Sequence, residues 1–219
     1  MSVSLDRFNL FLVDMDDTLF EERDFVLSGL AATAAYTVAW GLDPSAAGAF
    51  LKQHFIHQGR ERIFDHLLQR FLGGAQTERI QKLVEVYRQH RPDITMYDGA
   101  AEVLSQLRRL GRVIIVTDGL AAVQERKATA LGLPPLVDQV VYCQGLGYAK
   151  PDPRSLDGIV TCGMPSALLI GDRPDHDLAM AGALGIASIR VRTGRFRQVA
   201  NAPWIPLADL ACFADLAGP

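Results

Sequence analysis

The chain has 219 residues, 49% of them apolar, and a formal net charge of −3, a balance that supports a sizeable core and excludes a polybasic nucleic-acid-binding tail. No apolar run approaches the roughly 20 residues of a membrane helix, and the N-terminus lacks a basic-then-apolar secretory pattern, so a cytoplasmic protein without a membrane or nucleic-acid partner is expected. Cys143, Cys162 and Cys212 are odd in number and widely spaced, which reads as buried reduced thiols rather than a disulfide framework.

The first predicted element is a strand over 11–13, Phe-Leu-Val, which runs into Asp14, Asp16 and Asp17 with Thr18 behind them. Three acids within four residues repel one another, so the cluster needs a cation, hydrogen bonds or solvent to compensate it; a divalent metal is the simplest compensation. Strand signals then vanish from Glu21 to about Arg91. Ala- and Leu-rich spacing predicts a helix over 24–40, helical periodicity continues over 44–72 until Gly73-Gly74, and an amphipathic helix over 77–87 is closed by Pro92. The expected organisation is a core of residues 1–20 and 96–219, with a small all-helical cap of residues 21–95 inserted into it.

From Asp98 onward helices alternate with strands: a helix over 100–110 and a strand over 113–117, then 121–131 and 139–143, 153–162 and 167–170, and 174–184 and 188–191. The strands are continuous apolar runs, the pattern of parallel strands buried on both faces. Residues 204–210 read as a last strand-to-helix connection packed on the core, where their apolar side chains find burial. The fold class is α/β, a Rossmann-like three-layer α/β/α parallel sheet.

Three of these strands end in polar residues: the first at Asp14, the second at Thr117-Asp118-Gly119, the third at Gly171-Asp172. Ligands of parallel sheets bind outside the strand carboxyl ends, so all three clusters should face one crevice. Between the second and third lies Lys150, followed by Pro151 and Pro153, which restrict the local backbone. After Asp172, a proline-started and acid-rich first helical turn carries Asp175 and Asp177.

In this order, D-x-D-x-T over 14–18, Thr117 after a strand, Lys150 before a proline and G-D-x-x-x-x-D over 171–177 resemble the haloacid dehalogenase superfamily across roughly residues 8–194. The resemblance implies a central first strand and phosphoryl transfer in which Asp14 is the nucleophile, forming an aspartyl phosphate and ligating the metal through its other oxygen. It implies that Asp16 is the general acid and base and a metal ligand through its backbone carbonyl. Thr117, the Asp118 backbone and Lys150 would hold the phosphate, Asp172 would complete the metal site, and Asp177 would orient Lys150 or a metal-bound water. Oxygen-only ligands point to Mg2+, and His54 and His57 read as one buried-edge and one exposed histidine rather than zinc ligands.

The chain departs from the family pattern at Asp118, where many relatives carry asparagine, and at Arg173, where a small hydroxyl residue is frequent. Arg173 is placed to pair with Asp118 or Asp175. The expected activity is Mg2+-dependent hydrolysis of a small soluble phosphomonoester by a monomer or homodimer, with phosphomutase, dehalogenase and catalytically silent binding protein as alternatives. Asp16 favours phosphate hydrolysis, because the family's dehalogenases need no second aspartate. Phe20, Glu21, His54, His57 and Arg60 are the candidate specificity contacts near and within the cap.

Overall fold

The computed structural model describes residues 4–74 and 76–217. It opens with strand β1 (Leu10–Val13) and continues through helices α1 (Glu22–Tyr36), α2 (Pro44–Gln58), α3 (Ile63–Leu72) and α4 (Thr77–Gln89). Then follow α5 (Ala100–Leu110), β2 (Arg112–Thr117), α6 (Ala121–Ala130), β3 (Gln139–Tyr142), β4 (Ala167–Gly171), α7 (Ala179–Leu184), β5 (Ala187–Val191) and β6 (Ala208–Leu210). The chain divides into two compact units, residues 1–22 with 94–219, and residues 23–93.

The larger unit is an α/β sheet in the order β3-β2-β1-β4-β5-β6, every neighbouring pair parallel. The first strand is interior because its four residues are apolar on both faces; all are buried, as are five of the six in β2 and all five in β4. Leu12 stands beside Ile114 on one side and Leu169 on the other. These three residues pack with Val141, Met180 and Leu184 into one face of the core. Full burial of such side chains stabilises by about 1.5–3 kcal/mol each.

The smaller unit holds α2, α3 and α4 and nearly all of α1. Val26, Leu30, Leu51, Phe64, Leu67 and Leu83 form its apolar centre. The helical reading over 44–72 resolves into two helices, because Gly59 takes φ +80° and Arg62 φ +50°, left-handed values that no helix continues. The helix read over 24–40 begins at Glu22 and tightens into a 3₁₀ turn over Thr37–Trp40, closed by Gly41 in the left-handed conformation. His54 is buried and meets His66, ring nitrogen to ring nitrogen, at 3.2 Å, whereas His57 is exposed and pairs with Gln53.

Three further readings need correction. Residues 153–162 form only a 3₁₀ turn over Pro153–Leu156, since Gly158 adopts φ +76° and the β-branched run Ile159-Val160-Thr161 has little helical preference. In 204–210, Trp204 packs against Gly182 while Ile205 stays 94% exposed, so burial of that apolar stretch is partial. Of the cysteines only Cys143 is buried; Cys162 is exposed and Cys212 half-buried, and all are free thiols. Among the described residues no helix is long and apolar enough to cross a membrane.

Candidate active site

The parallel register carries the polar ends of β1, β2 and β4 to one level. Asp14, the residue after β1, continues the ladder by donating its N–H to Ile170 O at 2.9 Å. Asp14, Asp16, Asp118, Lys150, Asp172 and Arg173 line a single pocket of about 260 Å³ within the larger unit. Thr117 and Asp177 are buried and do not line it.

Lys150 organises the floor. Its Nζ donates to Asp14 Oδ1 at 2.5 Å, to Asp177 Oδ1 at 2.7 Å and to Val116 O at 3.1 Å. Burial alone would push the ammonium toward neutrality, but Asp14 and Asp177 outweigh it and raise the lysine well above its ordinary value, so the charge persists. Thr18 Oγ1 donates to the other Asp14 oxygen at 2.9 Å. Burial nevertheless pushes the Asp14 carboxyl up to about 7, opposed by Lys150 and reinforced by the like charge of Asp177.

Asp172 is 1% exposed, and its Oδ2 is buried without a hydrogen-bond partner among the described residues. Burial, then the neighbouring charges of Asp14 and Asp177, push it up to about 10. Carboxylate oxygens of Asp14, Asp172 and Asp177 lie within 4.8 Å of one another. An orphaned carboxylate oxygen beside two further acids is a poor arrangement for the chain alone and a fitting donor set for a hard divalent cation. The Asp16 side chain is not part of this cluster.

The loop after β4 is shaped for Asp177. Residues Pro174–Leu178 form a wide π-helical turn where a regular helix was expected to start. The turn is set by Asp177 itself, whose Oδ2 accepts from Arg173 N at 2.9 Å while Oδ1 faces Lys150. A Cβ on Gly171 would stand 2.4 Å from Asp177 Cγ, so only glycine leaves room. Gly171→Ala is therefore expected to destabilise by about 1–3 kcal/mol and to lower turnover as Asp177 is displaced from Lys150, measured by thermal melts and steady-state rates on one preparation.

Asp118 accepts from Lys150 N–H with both oxygens at 3.1 Å, so it braces the loop that carries Lys150. Arg173 pairs with Asp175 at 3.0 Å, and its guanidinium lies 4.4 Å from the Phe196 ring centroid. Asp17, an acid given no role by sequence, caps α1 through Glu22 N at 2.8 Å and accepts from Arg195 N at 3.2 Å. Gly194, at φ +59°, passes so close that its Cβ would collide with the Asp17 carboxylate.

Two residues of α6 were missed by sequence reasoning. Lys127 Nζ donates to Asp16 Oδ1 at 2.6 Å, and Gln124 Nε2 donates to Asp16 Oδ2 and to Thr117 Oγ1, both at 2.6 Å. Both side chains are buried. Their i, i+3 spacing puts a glutamine and a lysine on one face of the helix that follows a polar strand end, but it does not say that this face meets Asp16. Of the cap candidates, Phe20 is fully buried and Glu21 accepts from Tyr97 Oη at 3.2 Å.

Comparison with known proteins identifies the family of the chain. Residues 8–185 match the family model described as haloacid dehalogenase-like hydrolase. A glyceraldehyde 3-phosphate phosphatase of Methanocaldococcus jannaschii is 26% identical over 199 residues, covering 86% of each chain. A phosphoserine phosphatase of Thermus thermophilus is 31% identical over 140 residues, 62% of this chain and 55% of that one. The Bacillus subtilis HAD-hydrolase YfnB, solved bound to magnesium, superposes with a TM-score of 0.68 at 18% identity, covering 96% of this chain and 97% of that one. With the family model spanning most of the chain and its acids gathered at the ends of a parallel sheet, the chain belongs to the haloacid dehalogenase-like hydrolases.

Proposed function

We propose that the chain is a divalent-cation-dependent phosphomonoester hydrolase that works through an aspartyl phosphate on Asp14. The observation that carries this reading is the pairing of Lys150 with Asp14 and Asp177 beside the partnerless carboxylate oxygen of Asp172. One lysine holds the attacking group, and the acids around it leave an excess of negative charge that Mg2+ would offset, making room for an anionic phosphate.

Asp14, Asp172 and the backbone carbonyl of Asp16 would hold the cation, which when bound supplies charge neutralisation around the phosphoryl oxygens. The remaining chemistry belongs to the chain. One Asp14 oxygen attacks phosphorus while Lys150, fixed by Asp177, balances negative charge on the phosphoryl group. As the ester P–O bond breaks, Asp16, which takes up a proton on substrate binding, gives that proton to the leaving oxygen. Asp16 then takes a proton from the water that attacks the aspartyl phosphate, which frees phosphate and restores Asp14. Thr117, the Asp118 backbone and the Gly119 backbone complete the phosphate cradle in this reading.

The relatives' names point to small phosphorylated metabolites as first substrates to test, namely glyceraldehyde 3-phosphate and phosphoserine. A cytoplasmic setting belongs to the same reading. The test is phosphate release from 4-nitrophenyl phosphate, glyceraldehyde 3-phosphate and phosphoserine, with Mg2+ and with chelator. Release that needs Mg2+ is expected; a well-folded protein that releases phosphate from none of the three overturns the reading.

A further inference from the structure

We propose that Gln124 and Lys127 are positioning residues for phosphoryl transfer, holding the Asp16 carboxylate at the pocket wall, with Gln124 tying it to the buried Thr117 behind it. This rests on the phosphatase reading above. The argument starts from donors and acceptors. An ionised aspartate side chain accepts only, so the Gln124 atom 2.6 Å from Asp16 Oδ2 is the amide nitrogen, and the glutamine cannot be flipped without setting oxygen against oxygen.

The same nitrogen lies 2.6 Å from Thr117 Oγ1. An amide NH2 has two protons, and Asp16 and Thr117 take one each. Thr117 is therefore an acceptor from Gln124, and its own hydroxyl proton must point elsewhere. Gln124 thus fixes two polarities with one group, Asp16 and Thr117 both as acceptors, and ties the loop after β1 to the end of β2.

Lys127 completes the hold. Its ammonium, 2.6 Å from Asp16 Oδ1, grips the second carboxylate oxygen, with the Phe20 ring centroid 5.9 Å away on the apolar side. Each Asp16 oxygen has one lone pair engaged by α6 and another available, and Asp16 lines the pocket from that anchored position. Without Lys127 the carboxylate keeps a single anchor and spends less time facing the leaving oxygen, so proton delivery suffers before binding does.

The test compares kcat/KM, which reports events up to the first irreversible phosphoryl transfer, for a substrate that needs a proton on its leaving group and for one that does not. The probes are 4-nitrophenyl phosphate, whose phenolate leaves unprotonated, and whichever of phosphoserine and glyceraldehyde 3-phosphate the wild type turns over faster, all with saturating Mg2+. Lys127→Met is expected to lose about tenfold or more on the alkyl substrate beyond its loss on the aryl one, the scale of positioned proton transfer. Lys127→Arg should bring the two losses back toward each other. Gln124→Leu, which removes the other anchor of Asp16, should likewise lose more on the alkyl substrate than on the aryl one.

Equal losses on both substrates in Lys127→Met, with an unchanged melting temperature, overturn the inference while leaving the phosphatase reading intact. If Lys127→Met does not fold, Lys127→Gln is read by the same ratio. A wild type inactive on every probe overturns the phosphatase reading and this inference with it.

Discussion

Asp14→Asn is expected to lower turnover by about four orders of magnitude or more, the scale seen when a covalent nucleophile is removed, while the protein keeps its fold. The amide is nearly isosteric: its oxygen still accepts from Lys150, while its NH2 replaces the oxygen to which Thr18 Oγ1 now donates and the hydroxyl can rotate to accept from it, so the contacts that Asp14 makes now survive in part. What is lost is the anionic oxygen proposed to attack phosphorus. The substitution also removes one of the acids crowding Asp172, so the metal-free melting temperature should stay level or rise. The measurement is kcat on the best substrate with Mg2+, beside an acid quench that traps phosphate covalently bound to wild type and finds none on the variant. Turnover within tenfold of wild type would remove Asp14 from the nucleophile's role.

The parts of the fold and site that sequence revealed are those fixed by the strand direction alone. β1, β2 and β4 are continuous apolar runs with abrupt polar ends, so both the buried parallel sheet and the meeting of Asp14, Asp118 and Asp172 in one pocket follow from local pattern. Lys150 joins them because its loop is braced by Asp118, a partner not anticipated for that side chain. Contacts that depend on how a helix is rotated about its axis were out of reach. Gln124 and Lys127 meet Asp16 only because α6 turns that face toward the end of β1, and nothing in the spacing of polar residues on α6 specifies that rotation. The π-helical turn at Pro174–Leu178 was equally hidden, since it is set by one carboxylate serving both Arg173 N–H and Lys150. The His54–His66 contact joins two helices whose crossing no local signal gives.

Replacing Asp172 with asparagine is expected to make the metal-free protein more stable while removing turnover, a combination that a purely structural residue would not produce. Burial, then Asp14 and Asp177, push the Asp172 carboxyl up to about 10 in the folded chain, whereas an aspartate in the unfolded chain titrates near ~3.9. Between these values the folded state holds a proton that the unfolded state has released. The unfolded state then binds fewer protons, and stability falls as pH rises through that window. Asp14, pushed up to about 7, adds the same slope over its lower part. Wild type in chelator should therefore melt at progressively lower temperature from about pH 5 to about pH 9, and Asp172→Asn should flatten the slope, with its advantage largest at the alkaline end. Magnesium reverses the ranking. A cation takes the carboxylate rather than the acid, so its binding releases the proton and the melting shift it gives wild type should grow with pH. The variant, lacking that oxygen's charge, should show little shift and lose about a thousandfold in turnover, the scale of a lost electrostatic stabiliser at the reacting centre. Melting curves in EDTA and in Mg2+ at pH 6 and pH 8.5 decide it: a metal-free variant that melts below wild type at pH 8.5 would make Asp172 a structural acceptor and take it out of the cation site.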